Sequence, residues 1–153
     1  MKKIALIVFL TLSLSSIQAQ ELTWHTDVNK ASELAIKNKK PLMLFFTGSD
    51  WCGWCIKLQT EVFKTPEFIK WANANVTLVE LDFPKRKQLA PELAQQNREF
   101  EQMFAIRGYP TVWLVSPALL DGKMTFNRLG STGYVAGGPQ EWLTGANQIL
   151  GKK

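Results

Sequence analysis

The sequence predicts an α/β fold built on a mixed central sheet, and three observations lead to that prediction. Strand and helix signals alternate along the chain from residue 22 onwards. A continuous apolar run at residues 42–46 is typical of a strand that is covered on both faces. Two β-rich runs separated by Asp121 and Gly122 favour an antiparallel hairpin, so the sheet should contain both strand directions.

The first half of the domain should open with a short strand at residues 22–25. Thr26 or Asp27 can then cap a helix that runs to about Asn38, because small and apolar side chains share one of its faces. The apolar run at 42–46 follows, and its composition predicts a central position in the sheet.

A second helical region follows the turn at residues 47–50 and contains both cysteines of the chain. It should continue to about Phe63. Thr65 and Pro66 then provide a capping residue followed by proline, which is favoured at the first position of a helix. The helical region should therefore bend at this point.

The remaining elements are predicted from periodicity and turn residues. In chain order they are a strand at 76–83, a helix at 91–104, the two hairpin strands at 111–116 and 124–129, and a closing helix at about 139–150.

The N-terminus has the pattern of a secretory signal peptide. Two lysines precede an apolar stretch at residues 4–14, and a short polar segment ends at Ala19. We expect a signal peptide at 1–19 and one domain at 20–153. The apolar stretch is too short to span a bilayer comfortably, and no second one approaches the roughly 18 to 20 residues that a membrane helix needs. These features predict an exported protein, periplasmic or secreted, without stable membrane insertion.

Removal of residues 1–19 from the chain of 153 would leave 134 residues, which suits one domain. The segment removed carries two lysines and no acids, so the formal net charge falls from +5 to +3. A charge this small argues against nucleic acid or an anionic membrane as partner. We expect the mature protein to be a monomer.

The chemistry of the chain centres on the run Trp51-Cys52-Gly53-Trp54-Cys55, which holds its only two cysteines. A sulfur at the first turn of a helix faces unpaired backbone N–H groups and the positive end of the helix dipole, which favour thiolate over thiol. Cys52 is therefore the predicted nucleophile. Cys55 lies one turn later on the same face, where it can form a disulfide with Cys52 or attack a mixed disulfide. A purely structural disulfide is the alternative, although so small a loop contributes little chain entropy.

The order βαβαβαββα, the cysteine pair, and Gly108-Tyr109-Pro110-Thr111 about 55 residues later resemble the thioredoxin superfamily. Within it, the run at residues 48–55 is similar to exported bacterial thioredoxin-like thiol:disulfide interchange proteins. The resemblance implies a three-layer α/β/α sandwich with four to five strands in the central sheet. It also implies a cis peptide bond before Pro110, facing the dithiol.

The resemblance further implies a protein thiol-disulfide oxidoreductase. Cys52 would attack a client disulfide, and Cys55 would resolve the mixed disulfide. The backbone of Tyr109 would pair with an extended client segment, although Pro110 could also simply start a strand. The client-binding residues implied in this way are Trp51, Gly53, Trp54, Tyr109 and Pro110.

The sequence departs from familiar thioredoxin in two ways. Gly53 and Trp54 separate the cysteines in place of glycine and proline. Phe46, six residues before Cys52, occupies the position where thioredoxin keeps a buried acid. We hypothesise that Glu80, on the neighbouring strand, supplies a carboxylate as a proton relay. The alternative is that Glu80 is a solvated strand residue.

Other functional classes have weaker support. Ile56 occupies the position where a c-type haem site needs histidine. A metal site would need more ligands than two thiols and the remote His25 provide, so we expect neither metal nor cofactor. Oxidase or isomerase activity, and a non-catalytic chaperone or binding module, stay open as alternatives.

The direction of electron flow is not encoded in any residue, and the resemblance favours reduction. The expected partners are client proteins with disulfides or thiols, and an electron donor for which a membrane disulfide reductase is the candidate.

Overall fold

The computed structural model describes residues 22–152, which form one five-stranded sheet in the spatial order β1-β3-β2-β4-β5. The predicted signal peptide and its cleavage site lie outside the described residues. The strands are β1 (Trp24–His25), β2 (Leu42–Thr47), β3 (Thr77–Asp82), β4 (Thr111–Leu120) and β5 (Lys123–Thr132).

Helices cover both faces of this sheet. They are α1 (Val28–Asn38), α2 (Gly53–Leu58), α3 (Pro66–Asn75), α4 (Pro91–Met103) and α5 (Gly138–Ile149), with a π-helical segment (Gln59–Phe63) directly after α2. Asp27 caps α1, since its carboxylate accepts a hydrogen bond from the Lys30 amide at 3.0 Å. Within residues 22–152, no helix is both long enough and apolar enough to cross a membrane.

Strand β2 lies at the centre of the sheet, as its uninterrupted apolar sequence predicts. It pairs in parallel with β3 on one side and antiparallel with β4 on the other, so the sheet is mixed. All six of its residues are buried. The hairpin of β4 and β5 is longer than predicted, because the two strands keep pairing as far as the turn at Asp121 and Gly122.

Two hydrophobic clusters lie on opposite sides of the sheet, which confirms the three-layer α/β/α sandwich. Phe45 belongs to the cluster that also contains both cysteines and the buried residues of α3 and α5; we call this side of the sheet the cysteine face. Phe46 belongs to the other cluster, which packs against α1 and α4.

This placement corrects the prediction for Phe46. Successive side chains of a strand point to opposite faces, so a count of six residues back from Cys52 selects the face away from the dithiol. Phe45 occupies the corresponding position on the cysteine face. An aromatic residue of β2 therefore belongs to the cluster that contains both cysteines, and the conclusion that β2 supplies no acid there is unchanged.

The helical region after the cysteines is interrupted where the sequence predicts a bend. Thr65 caps α3 and Pro66 is its first residue. The π-helical segment, which includes Val62 and Phe63, was not predicted. Both side chains are buried although they are adjacent, a placement that the wider turn of a π-helix permits.

Candidate active site

Cys52 and Cys55 form a disulfide at the start of α2, with their Cα atoms 5.2 Å apart. Cys52 is the N-cap residue of this helix, and the Cys55 amide donates to its sulfur at 3.2 Å. The Cys52 amide in turn donates to the Gly48 carbonyl at 2.9 Å, which ties the cysteine to the end of β2. The predicted position of the pair, at a strand-to-helix junction, is confirmed.

The two sulfur-bearing residues differ in access to solvent. Cys52 is 6% exposed and Cys55 is fully buried at 0%. Gly53 and Trp54 between them are exposed. Cys52 therefore keeps a small accessible surface, whereas Cys55 has none.

Trp51 covers one flank of the dithiol and is fixed by three contacts. Its Nε1 donates to the Phe83 carbonyl at 2.7 Å, and its ring meets Tyr109 edge to face at 5.7 Å between centroids. The Lys85 ammonium nitrogen lies 3.9 Å from the ring centroid. A Cβ added to Gly48 would lie 2.4 Å from the indole, so this position needs glycine for Trp51 to keep its place. We call these residues the Trp51 side.

Trp54 covers the other flank and is more exposed, 58% against 37% for Trp51. Its ring packs on Tyr134 at 5.2 Å between centroids, and the Lys57 nitrogen lies 5.2 Å from its centroid. The Tyr134 hydroxyl donates to the Glu61 carboxylate at 2.5 Å. We call this group the Trp54 side.

The Tyr109–Pro110 peptide bond is cis. The Tyr109 ring packs between Trp51 and Phe83, which places this segment beside the dithiol. Its hydroxyl donates to the Glu101 carboxylate. Burial and this hydrogen bond raise the pKa of Tyr109 well above its ordinary value, so the hydroxyl stays protonated as a donor.

Glu80 lies on the cysteine face, because β3 pairs it directly with Phe45. Burial raises the pKa of Glu80, and the neighbouring Asp82 adds to the increase while Lys87 opposes it. Both sequence-based interpretations of Glu80 are compatible with this partial burial, and its role in proton transfer stays a prediction.

Two carboxylates not identified from the sequence hold the loop before the dithiol. Asp82 accepts from the Ser49 amide at 2.8 Å and from the Ser49 hydroxyl at 2.7 Å, and it pairs with Lys87 at 3.0 Å. Asp50 accepts from the amides of Lys85 and Arg86 at 2.9 and 2.7 Å. These amides lower the pKa of Asp50. The strand alternation that places Glu80 on the cysteine face places Asp82 there too, which was the available signal in the sequence.

The family assignment follows from this geometry and from comparison with known proteins. The family model described as a thioredoxin-like domain matches residues 28–142. This chain belongs to the thioredoxin-like family. The matched range includes the cysteine pair at the start of α2.

Individual relatives agree with the assignment. The chain is 35% identical to the disulfide bond reductase DsbH of Chlamydia pneumoniae, over 78% of this chain and 72% of that protein. It is 31% identical to the thioredoxin-related protein DsbJ of the same organism, over 88% of this chain but only 39% of that protein. A solved DsbH oxidoreductase structure superposes with a TM-score of 0.78 at 31% identity and covers 90% of both chains. This thioredoxin-like protein is a thiol-disulfide oxidoreductase.

Proposed function

We propose that this protein is an exported enzyme that reduces disulfides in client proteins, with Cys52 as the attacking sulfur and Cys55 as the resolving sulfur. The unequal exposure of the two cysteines carries the proposal. Of the two, only Cys52 keeps accessible surface at which a client disulfide could approach, and Cys55, which has none, lies within bonding distance of it.

The proposed reaction has two exchange steps. The Cys52 thiolate attacks one client sulfur, a mixed disulfide forms, and the other client sulfur leaves as a thiolate. Cys55 then attacks the Cys52 sulfur, the second client sulfur leaves, and the Cys52–Cys55 disulfide forms. Two electrons pass from the enzyme to the client, and a separate donor must reduce the enzyme again.

The helix start supports Cys52 in the first step. The Cys55 amide points at the Cys52 sulfur, so a hydrogen-bond donor and the positive end of α2 meet the negative charge of a thiolate. In the second step the client sulfur is the leaving group, so the support that this amide gives to the Cys52 thiolate belongs to the first step.

The direction, the partners and the location are inferred from the relatives and from the sequence. The name of the relative DsbH describes it as a disulfide bond reductase, which supports reduction by this protein. We infer a membrane disulfide reductase as electron donor and the periplasm as location, with residues 1–19 as signal peptide and 20–153 as the exported monomer.

The client would bind across both aromatic flanks. Trp51, Trp54 and Tyr109 offer apolar surface on the two sides of Cys52. The space beside the Cα atom of Gly53 is open, because a Cβ added there would meet no atom within 4 Å. The Pro110 segment lies beside Trp51 through Tyr109 and would present backbone to an extended client.

Trapping the intermediate tests the assignment of roles. In Cys55→Ala the second step cannot occur, so a client peptide with a disulfide should stay covalently attached to Cys52, as measured by mass spectrometry of the intact complex. Cys52→Ala should trap none, because Cys55 is buried. Equal trapping by the two variants would contradict the proposal. A reduction potential much more positive than that of thioredoxin would favour oxidation or isomerisation instead.

The proposed proton relay through Glu80 has its own test. If Glu80 takes the proton of Cys55, the rate of mixed-disulfide resolution should rise with pH around the Glu80 pKa, which burial places above the ordinary value for glutamate. Glu80→Gln should remove this inflection. An unchanged rate profile would remove Glu80 from the mechanism.

Thermal unfolding gives an independent readout of the same variant. A raised carboxyl pKa means that ionisation of Glu80 opposes folding, so Glu80→Gln should be more stable than wild type at pH 7. This gain in stability should vanish as the pH falls below about 4.3, the ordinary glutamate pKa, because wild-type Glu80 is then protonated in both the folded and the unfolded state.

A further inference from the structure

Thr47, the last residue of β2, is fully buried at 0% exposure. Within residues 22–152 its hydroxyl oxygen has no hydrogen-bond partner. Burial of an unpaired hydroxyl opposes folding, and such groups are rare in native proteins. The oxidised protein therefore carries a polar group at the end of β2 that its own packing does not satisfy.

The position of Thr47 relates this hydroxyl to the dithiol. Strand alternation places Thr47 on the cysteine face together with Phe45. Above that face lies the first turn of α2, in which Cys55 is the buried residue among residues 53–56. The carbonyl of Gly48, the next residue after Thr47, accepts the Cys52 amide. Thr47 and Cys55 thus lie on the same side of the sheet, and Thr47 directly precedes the residue whose carbonyl holds the Cys52 amide.

The neighbouring polar groups on this face are directed elsewhere. Asp82 is the register partner of Thr47, but its carboxylate is taken up by Ser49 and Lys87. Glu80 pairs with Phe45, one side-chain position further from the strand end. The groups on this face that change their hydrogen-bonding capacity on reduction are the two sulfurs, and the Cys52 sulfur already accepts from the Cys55 amide, which leaves the Cys55 sulfur.

We propose that Thr47 is a positioning residue of the dithiol, whose hydroxyl donates a hydrogen bond to the Cys55 sulfur once the disulfide is reduced. When glutathione is the reductant, two of its thiols give two electrons and leave as one glutathione disulfide. The Cys52–Cys55 bond breaks, and each sulfur becomes a thiol or a thiolate. A thiolate is a stronger acceptor than a disulfide sulfur, so Thr47 gains a partner in the reduced state only. This inference rests on the proposed redox exchange of the pair.

The proposal predicts a shift in the redox equilibrium. Thr47→Val keeps the shape of the side chain and removes its hydroxyl, which relieves the unpaired group in the oxidised state and deletes a hydrogen bond in the reduced state. Both effects favour the disulfide. The equilibrium constant for reduction by glutathione should fall about tenfold, which corresponds to a potential more negative by about 30 mV.

The experiment measures this equilibrium constant in full-length mature protein for wild type, Thr47→Val and Thr47→Ser. Serine keeps a hydroxyl and should stay within about threefold of wild type. Thr77→Val is the matched control, since Thr77 is a buried threonine at the far end of the neighbouring strand β3, and it should change nothing. If valine at position 47 prevents folding, Thr47→Ala also lacks the hydroxyl and replaces it.

Three outcomes would overturn the proposal. The first is an equilibrium constant for reduction of Thr47→Val within twofold of the wild-type value. The second is a Thr47→Ser variant with the same equilibrium constant as Thr47→Val. The third is a change of the same size in Thr77→Val. Failure of the proposed function is a separate result, because wild-type protein would then not equilibrate with glutathione at all.

Discussion

The two flanks of the dithiol are built from the same kinds of side-chain contact, but they differ in how firmly each tryptophan is held. On each, a tryptophan packs beside a tyrosine and a lysine lies over the tryptophan ring. Trp51 also donates its indole N–H to the backbone, and a glycine gives it space. The indole N–H of Trp54 has no corresponding hydrogen bond to residues 22–152, and the ring is half open to solvent. The Trp51 side is therefore built as scaffold, and the Trp54 side is the more adaptable surface for a partner.

Truncating each tryptophan is the strongest test of this difference. Trp51→Ala should lower the free energy of unfolding by about 2 kcal/mol, below the full cost of a core tryptophan because the ring is partly exposed, whereas Trp54→Ala should cost less than about 1 kcal/mol. Trp54→Ala should instead raise KM for a disulfide peptide severalfold. Urea denaturation and steady-state kinetics measure the two effects. Equal losses of stability would show that the two sides do not differ.

Adding one methyl group to each side sharpens the comparison further. Gly48→Ala places a Cβ 2.4 Å from the Trp51 indole, which must move and lose its hydrogen bond to Phe83. We expect a loss of about 1 to 2 kcal/mol, typical of overpacking. Gly53→Ala is the control beside Trp54, where the new Cβ meets nothing within 4 Å. A Gly48 variant as stable as wild type, with an unmoved indole by tryptophan fluorescence, would contradict the steric argument.

The smallest expected effect concerns pH and the loop that supports Lys85 over Trp51. The Lys85 and Arg86 amides lower the pKa of Asp50, so their hydrogen bonds are fully present above the ordinary aspartate value and are lost as the pH falls through the lowered one. Amide hydrogen exchange of Lys85 should therefore be slow at pH 7 and should become faster, relative to its unprotected rate, as the pH falls below the ordinary aspartate pKa of about 3.9.

Asp50→Asn is the matched variant for this test. It should weaken protection at neutral pH and remove most of the pH dependence. Protection in wild type that does not depend on pH would mean that Asp50 does not hold the loop.

Much of the fold could be predicted from the sequence because its signals are local. Asp27, the apolar run of β2, and Thr65 followed by Pro66 each act within a few residues, and each has the predicted role. The order of the elements, the cysteine pair and the run Gly108-Tyr109-Pro110-Thr111 together carried the resemblance from which the fold was predicted.

The features that were missed depend on contacts between residues distant in the chain. Tyr134 packs beside Trp54, and Asp82 binds Ser49; strand alternation places Asp82 on the cysteine face, but no periodicity reveals either pairing. The error at Phe46 has a different origin, because counting from the cysteines ignores which side of a strand a residue occupies. Thr47 was overlooked for a related reason: a single hydroxyl in an apolar strand has meaning only when its lack of a partner is known.

The π-helical segment between α2 and α3 determines how the helix that carries the dithiol is rotated about its axis relative to the aromatic core. Each residue of an α-helix advances the chain by about 100°, so one residue deleted from Gln59–Phe63 would turn the sulfur-bearing end against Phe63 and its aromatic neighbours. Changes of length in this segment would therefore reorient the reactive end of the molecule, whereas most substitutions on its outer surface would not.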